Sequence, residues 1–152
     1  MANGNLDSYE QFTEAPLLSP DTAATYAAGE KLGRALKSPA VISLEGPLGA
    51  GKTHFVQGIA AGLDCQDTPS SPTFAIVQEY PSARLPIFHF DFYRMEQEDE
   101  LLTCGFEDCV GAGVVLVEWG DKFPDFLPRG ALRLRFEILP DGVRRISGSL
   151  HK

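Results

Sequence analysis

The chain has 152 residues, 43% of them hydrophobic, which suits one globular domain with a real core and leaves no room for a second. Its formal net charge of -8, with 21 acids against 13 bases, excludes binding to a nucleic acid backbone by bulk electrostatics, so a role near RNA would run through a partner. No stretch approaches the roughly 18 consecutive apolar residues that span a bilayer, and three cysteines without a C-x-x-C pair indicate a reduced, cytoplasmic protein with buried thiols.

In chain order, Met1 to Glu14 is polar, carries no apolar secretory segment and reads as a loose leader, residues 1–10 in particular, on a single domain of 1–152. Ser19-Pro20-Asp21 predicts a helix start: a serine cap, proline at the first helical position and an acid in the first turn. Ala24, Ala28, Leu32 and Leu36 line one face of this helix until Ser38-Pro39 stops it. A buried strand, Ala40 to Glu45, follows.

Gly46-Pro47-Leu48-Gly49-Ala50-Gly51-Lys52-Thr53 then spells a complete phosphate-binding loop. Its glycines let successive N–H groups point at anionic oxygens without a Cβ in the way. Lys52 supplies a point charge to β- and γ-phosphates, and the Thr53 hydroxyl can hold magnesium. Phe55, Val56, Ile59, Ala60 and Leu63 recur at helical spacing after the loop, with Gly62 and Asp64 at the helix end. Strand before and helix after are what such a loop needs, because the helix N-terminus adds its dipole to the anion site. A glycine-rich turn with an exposed lysine would leave the second glycine, the lysine and the threonine unexplained.

A polar loop from Asp64 to Thr73 ends in Ser71-Pro72-Thr73-Phe74. Two strands follow, Ala75 to Tyr80 and Leu85 to Phe92, around the turn Pro81-Ser82-Ala83. In the second, Phe88, Phe90 and Phe92 share a core-like face, and Ile87, His89 and Asp91 share the other, where neither polar residue gains from burial unless paired. Met95 to Gly113 holds six acids and no lysine or arginine, a solvated helix face or else a docking surface for a basic partner. Val114 to Val117 is the run expected of a strand covered on both faces, ending in Glu118-Trp119. In phosphate-loop enzymes such a strand delivers its terminal acid beside the loop, to hold magnesium directly or through water or to orient the attacking water; the plainer alternative is an acid at a solvated strand end. Leu132 to Ile138 alternates apolar and charged residues, Pro140-Asp141-Gly142 turns the chain, and a last strand runs around Val143 to Ser149, a region that reads as structural. The fold class is therefore α/β: a P-loop NTPase-like three-layer sandwich, mostly parallel at its centre, with antiparallel strands and a C-terminal hairpin.

From about Thr22 to Asp121 the chain resembles the TsaE (YjeE) family, small bacterial ATPases required for threonylcarbamoyladenosine formation in tRNA. The resemblance rests on the loop 46–53, then Ser71-Pro72-Thr73-Phe74, then His89-Phe90-Asp91-Phe92-Tyr93-Arg94, then Val117-Glu118-Trp119-Gly120 in that order. It implies ATP and magnesium as ligands and hydrolysis that is slow alone and faster with the TsaB–TsaD pair. Beside it stand the expectations that tRNA is engaged only indirectly, that no membrane is involved, and that the isolated chain is a monomer. It assigns Lys52 and Thr53 to phosphate and magnesium, Asp91 and Glu118 to two essential acids, and Ser71 to Phe74 to a switch near the γ-phosphate. Trp119 matches a tryptophan beside the second acid, and Thr22 a threonine near the adenine. Pro47 and His54 depart from the family's usual residues without removing a required group.

The resulting expectation is in-line attack of water on the γ-phosphate, with Lys52 and the loop on the phosphates, Thr53 and Glu118 on magnesium and Asp91 positioning water. Arg94 is either an arginine finger or part of an ordinary ion pair. A small-molecule or nucleotide kinase and a nucleotide-bound, non-catalytic interaction module are the rival readings.

Overall fold

Seven strands form one sheet in the computed structural model, which describes residues 4–47, 49–67 and 77–152. In chain order the elements are α1 (Leu6–Thr13), β1 (Leu17–Ser19), α2 (Thr22–Ala35), β2 (Ala40–Glu45), α3 (Lys52–Gly62), β3 (Val77–Tyr80), β4 (Ile87–Asp91), α4 (Asp99–Thr103), α5 (Phe106–Cys109), β5 (Val114–Glu118), β6 (Leu132–Ile138) and β7 (Arg144–Leu150). The sheet order is β1-β7-β6-β2-β5-β4-β3. Its middle four strands run parallel, while β3 at one edge and β7 and β1 at the other pair antiparallel. The expected α/β architecture with a C-terminal hairpin, β6–β7, is what the chain adopts.

Burial explains the central order. All six residues of β2 and all five of β5 are buried, as strands covered on both faces must be. Alternate side chains then feed two separate cores. Ile42, Leu44, Val114, Leu116, Leu132 and Leu134 pack on the layer of α1, α2 and α3; Val41, Val115, Val117 and Phe90 pack on Leu101, Phe106 and Phe123 of the opposite layer. At the end of β2, Arg133 of β6 grips Glu45 with both Nε (2.8 Å) and Nη2 (3.0 Å), and Ser43 Oγ adds a third bond at 2.8 Å. The fork fixes the two strands just before the phosphate loop.

The loop-side layer contains a contact that helical periodicity does not announce. A Cβ on Gly29 or Gly33 of α2 would collide with the carbonyl oxygens of Phe55 or Ile59, and one on Gly58 or Gly62 of α3 with those of Tyr26 or Glu30. The two helices touch backbone to backbone, each through glycines four residues apart.

Several expectations need correction. The N-terminal segment is no loose leader: Leu6–Thr13 is helical, with Tyr9 and Phe12 each 1% exposed. Asn5 ties it down, donating to Ser38 O (3.0 Å) and accepting from Lys37 N (2.9 Å). Phe12 fills the space beside Gly148 and meets Phe55 edge-on at 5.8 Å; Phe55 in turn meets Phe136 at 5.4 Å. The polar composition concealed a two-residue apolar stripe that β7 was placed to receive. The α2 cap is Asp21, which accepts from Ala24 N at 2.8 Å, and not Ser19. Ser19 belongs to β1, and its hydroxyl bonds Asp21 O and Thr25 Oγ1. Leu36 is buried but already outside the helix, as its C-cap. The strand expected to reach Phe92 ends at Asp91, whose carboxylate accepts from Tyr93 N and turns the chain into a 3₁₀ turn. The acidic stretch is two short helices broken at Gly105, with Glu96, Glu98, Asp99, Glu107 and Asp108 exposed. Cys65, Cys104 and Cys109 are free thiols, half-buried. No helix among the described residues is long and apolar enough to cross a membrane.

Candidate functional site

At the C-terminal ends of β2, β5 and β4 the sheet opens onto a cavity of about 510 Å³. Its floor is the phosphate loop and the first turn of α3, Gly49 and Gly51 to His54. One wall is the start of α2, with Pro20, Asp21, Thr22 and Thr25; another is Gly142 and Arg144 of the hairpin; Glu118 closes the back. Gly51, which precedes α3, has φ 100° and would set a Cβ 3.3 Å from the Thr25 methyl, so only glycine fits comfortably there. Because this N-cap has no side chain, the first N–H groups of the eleven-residue α3 have no side-chain cap. That is the donor array an anion requires.

Lys52 is 4% exposed, a burial few lysines tolerate without partners. Its Nζ donates to Gly46 O at 2.6 Å and sits 4.0 Å from the centre of the Trp119 ring. Burial pulls the Lys52 ammonium below its ordinary value, opposed by the charges of Glu118, Asp121 and Asp91. Trp119 reaches this position through a left-handed backbone, φ 63°, that costs a non-glycine residue about 1 kcal/mol. Tyr93 flanks its ring at 5.0 Å.

Register brings the two acids together: Asp91 of β4 lies opposite Glu118 of β5, which in turn pairs with Leu44 of β2 just before the loop. His89, 1% exposed, places Nε2 2.7 Å from Glu118 Oε2, so the histidine flagged by its awkward face is paired. With a carboxylate at that distance Nε2 carries the proton, and the His89 Nδ1 is buried without a partner among the described residues. Asp91 is held up above its ordinary value, first by burial and then by the Glu118 charge, against the Tyr93 N–H and Arg94. Arg94 Nε lies 3.6 Å from Asp91 Oδ2, the ordinary ion pair of the two readings.

Of the residues singled out from the sequence, Gly49, Gly51, Lys52, Thr53, Glu118 and Thr22 therefore line one cavity. Gly46 and Trp119 contact Lys52, and Asp91 sits beside Glu118 without lining the cavity. Ala50 is buried beneath the loop and Pro47 is exposed. Leu48 and the proposed switch, Ser71 to Phe74, lie outside the described residues. Among those residues no cluster of three or more histidine, cysteine, aspartate or glutamate side chains could hold a metal. A magnesium ion would rest on Thr53, Glu118 and oxygens from its own ligand and water, a set that suits this hard, reluctantly dehydrated cation.

A model of the family described as threonylcarbamoyl adenosine biosynthesis protein TsaE matches residues 19–146. The chain belongs to the TsaE family. It is 43% identical over 119 residues to the tRNA threonylcarbamoyladenosine biosynthesis protein TsaE of Bacillus subtilis, covering 77% of this chain and 74% of that one. The TsaE of Treponema pallidum is 38% identical over 120 residues, 78% of this chain and 88% of its own. A crystal structure of Bacillus subtilis YdiB superposes with a TM-score of 0.72 at 32% identity, covering 91% of this chain and 86% of that one. The TsaE match ends at Ile146 and so includes the turn of the hairpin, a region whose sequence pattern alone reads as structural. Gly142 and Arg144 are the cavity residues missed in that way, and Pro20, Asp21, Thr25 and His54 also line the cavity without having been assigned to it. The signal for Arg144 was present: Ile146 faces the core, so Arg144, two residues earlier on the strand, faces the same side.

Proposed function

We propose that this chain binds and hydrolyses ATP with magnesium, in the cytoplasm, in support of threonylcarbamoyladenosine formation on tRNA by the TsaB–TsaD pair. The observation that carries the reading is the convergence of Lys52, Thr53 and Glu118 on one cavity at the N-terminus of α3. Membership of the TsaE family supports the place of that activity in tRNA modification. Phosphoryl transfer asks the protein mainly for positioning and charge neutralisation, and these residues are of the kinds that supply both.

Lys52 leaves the Gly46 carbonyl and the Trp119 face to meet phosphate oxygens. The loop N–H groups hold the remaining oxygens. Magnesium, when bound by Thr53 and Glu118, neutralises charge on the phosphates. Glu118 is kept oriented by His89, and Asp91, beside Glu118 but outside the cavity lining, would position water or a ligand of the ion from behind it. A net charge of -8 suits a protein that meets tRNA through its partners. With Arg94 held at Asp91, that arginine is not free to act on the transition state, which fits slow hydrolysis in isolation and leaves room for partners to accelerate it.

ADP release measured for the chain alone, then with TsaB–TsaD and tRNA, tests the proposal. A small rate that rises with the partners is expected. Binding without turnover in their presence would instead favour the interaction module, and acceptor-dependent ADP release the kinase. Lys52→Ala should weaken ATP binding by about 100-fold or more, as charge-assisted contacts to two phosphates are lost. Unchanged affinity in calorimetry would remove the site assignment.

A further inference from the structure

We infer that Arg144 is a nucleotide-binding residue: the C-terminal hairpin delivers its guanidinium into the cavity as a second cation for the phosphates. The inference rests on the nucleotide reading of the cavity and adds to it a residue from outside the loop and the acidic strands. Three observations carry it.

The first is position. Alternation along β7 turns Arg145 outward, where it pairs with Glu137 at 2.8 Å, and turns Arg144 to the cavity side. The hairpin turn is fixed by Leu139 N to Val143 O (2.8 Å) and Gly142 N to Leu139 O (2.9 Å), so the strand that carries Arg144 begins at a defined point. The second is the arginine's partners. Arg144 Nη2 donates to Gly49 O at 3.0 Å and Nη1 to Gly142 O at 2.8 Å. Gly49 belongs to the phosphate loop, so the guanidinium rests against the backbone that would cradle the anion. Both partners are neutral carbonyls. Among the described residues no carboxylate neutralises Arg144; Arg84, Arg129 and Arg135 also lack an ion pair, but Arg144 is the arginine that lines the cavity. Two of its five donors are used, and the rest remain for an incoming oxygen.

The third is charge. A chain of net charge -8 repels a polyanion at long range, and Glu118 and Asp21 add negative charge to the cavity walls. Lys52 alone is balanced by Glu118 across the cavity. An unneutralised guanidinium at the rim restores a positive field where the phosphates enter. Arginine suits the task because its planar fork can keep the Gly49 carbonyl while presenting a second edge to a phosphate oxygen.

A simple latch, holding the hairpin to the loop through Gly49, would use the hydrogen bond and not the charge. Calorimetric titration of Mg-ADP into the intact chain separates the two. Arg144→Gln keeps a donor for Gly49 O without charge, Arg144→Met removes both, and Arg144→Lys keeps the charge. Arg144→Gln and Arg144→Met should each weaken binding about 10-fold, the loss of one charge-assisted hydrogen bond, with Arg144→Lys recovering most of it. Wild-type affinity in Arg144→Gln overturns the inference, whatever Arg144→Met does. So does an Arg144→Lys protein as weak as Arg144→Gln. If the wild-type chain itself ignores Mg-ADP and Mg-ATP, the nucleotide reading fails, a result distinct from either.

Discussion

On the loop side of the sheet, α2 and α3 meet backbone to backbone at Gly29, Gly33, Gly58 and Gly62. On the other side, α4 and α5 are only five and four residues long, and a cluster of Phe90, Phe92, Phe106 and Phe123 does the filling, with ring centroids 5.1 to 6.4 Å apart. Backbone contact admits essentially one arrangement, whereas aromatic side chains can shift and repack. The first kind of packing joins α2, whose start walls the cavity, to α3, whose start forms its floor. Rigidity is concentrated where phosphates would be held, and the adaptable layer carries the exposed acids between Met95 and Gly113.

The sharpest way to break this contrast is to force side chains between the two glycine-joined helices. Gly58→Leu should cost on the order of 5 kcal/mol and leave no cooperative thermal transition by circular dichroism. On the opposite layer, Phe106→Ala should cost about 3–4 kcal/mol in a urea titration, from lost burial and the residual cavity. Its ATP affinity, measured well below the unfolding midpoint, should stay near wild type. Equal damage to affinity by Phe106→Ala would mean that both layers support the cavity.

The smallest effect concerns the acid between the two layers. Asp91 is held above its ordinary value of 3.8, mainly by burial, so the native state keeps its proton to higher pH than the unfolded chain does. Stability from this group is greatest below 3.8 and falls as pH rises through the elevated native value. Asp91→Asn keeps an acceptor for Tyr93 N and removes that slope. At pH 7 the variant should melt a few degrees higher and, on the proposed function, turn over ATP more slowly, an exchange of stability for function. A lower melting midpoint would mean that the charge, not the neutral form, is what the fold favours.

What could be read from the sequence was local chemistry. The apolar run 40–45, the loop 46–53 and the strand ending at Glu118 all lie within short windows whose pattern determines both structure and placement. His89 could be flagged as odd, but not assigned to Glu118, because the pairing depends on β4 lying beside β5. The same holds for the glycines of α2 and α3. Within a single helix pattern they look like weak points, and they make sense only once two helices are known to cross there. Alternation with Ile146 could put Arg144 on the core-facing side, but its place at the cavity needed the register of β7, and α1 needed the notch at Gly148. Ser19 lost the helix cap to Asp21 because a short edge strand claimed it, a tertiary demand that no propensity encodes.

The row Phe12–Phe55–Phe136 gives the amino-terminal segment a part in a site it never touches. Phe55 stands two positions after Thr53, in the opening turn of the helix that would bear the metal ligand, and α1 is the wedge behind it. Trimming the gene to begin near residue 15, a natural choice for anyone tidying a polar leader, would withdraw that wedge and let the opening turn rock. Nucleotide grip would then slacken from a cut made on the far side of the ring row.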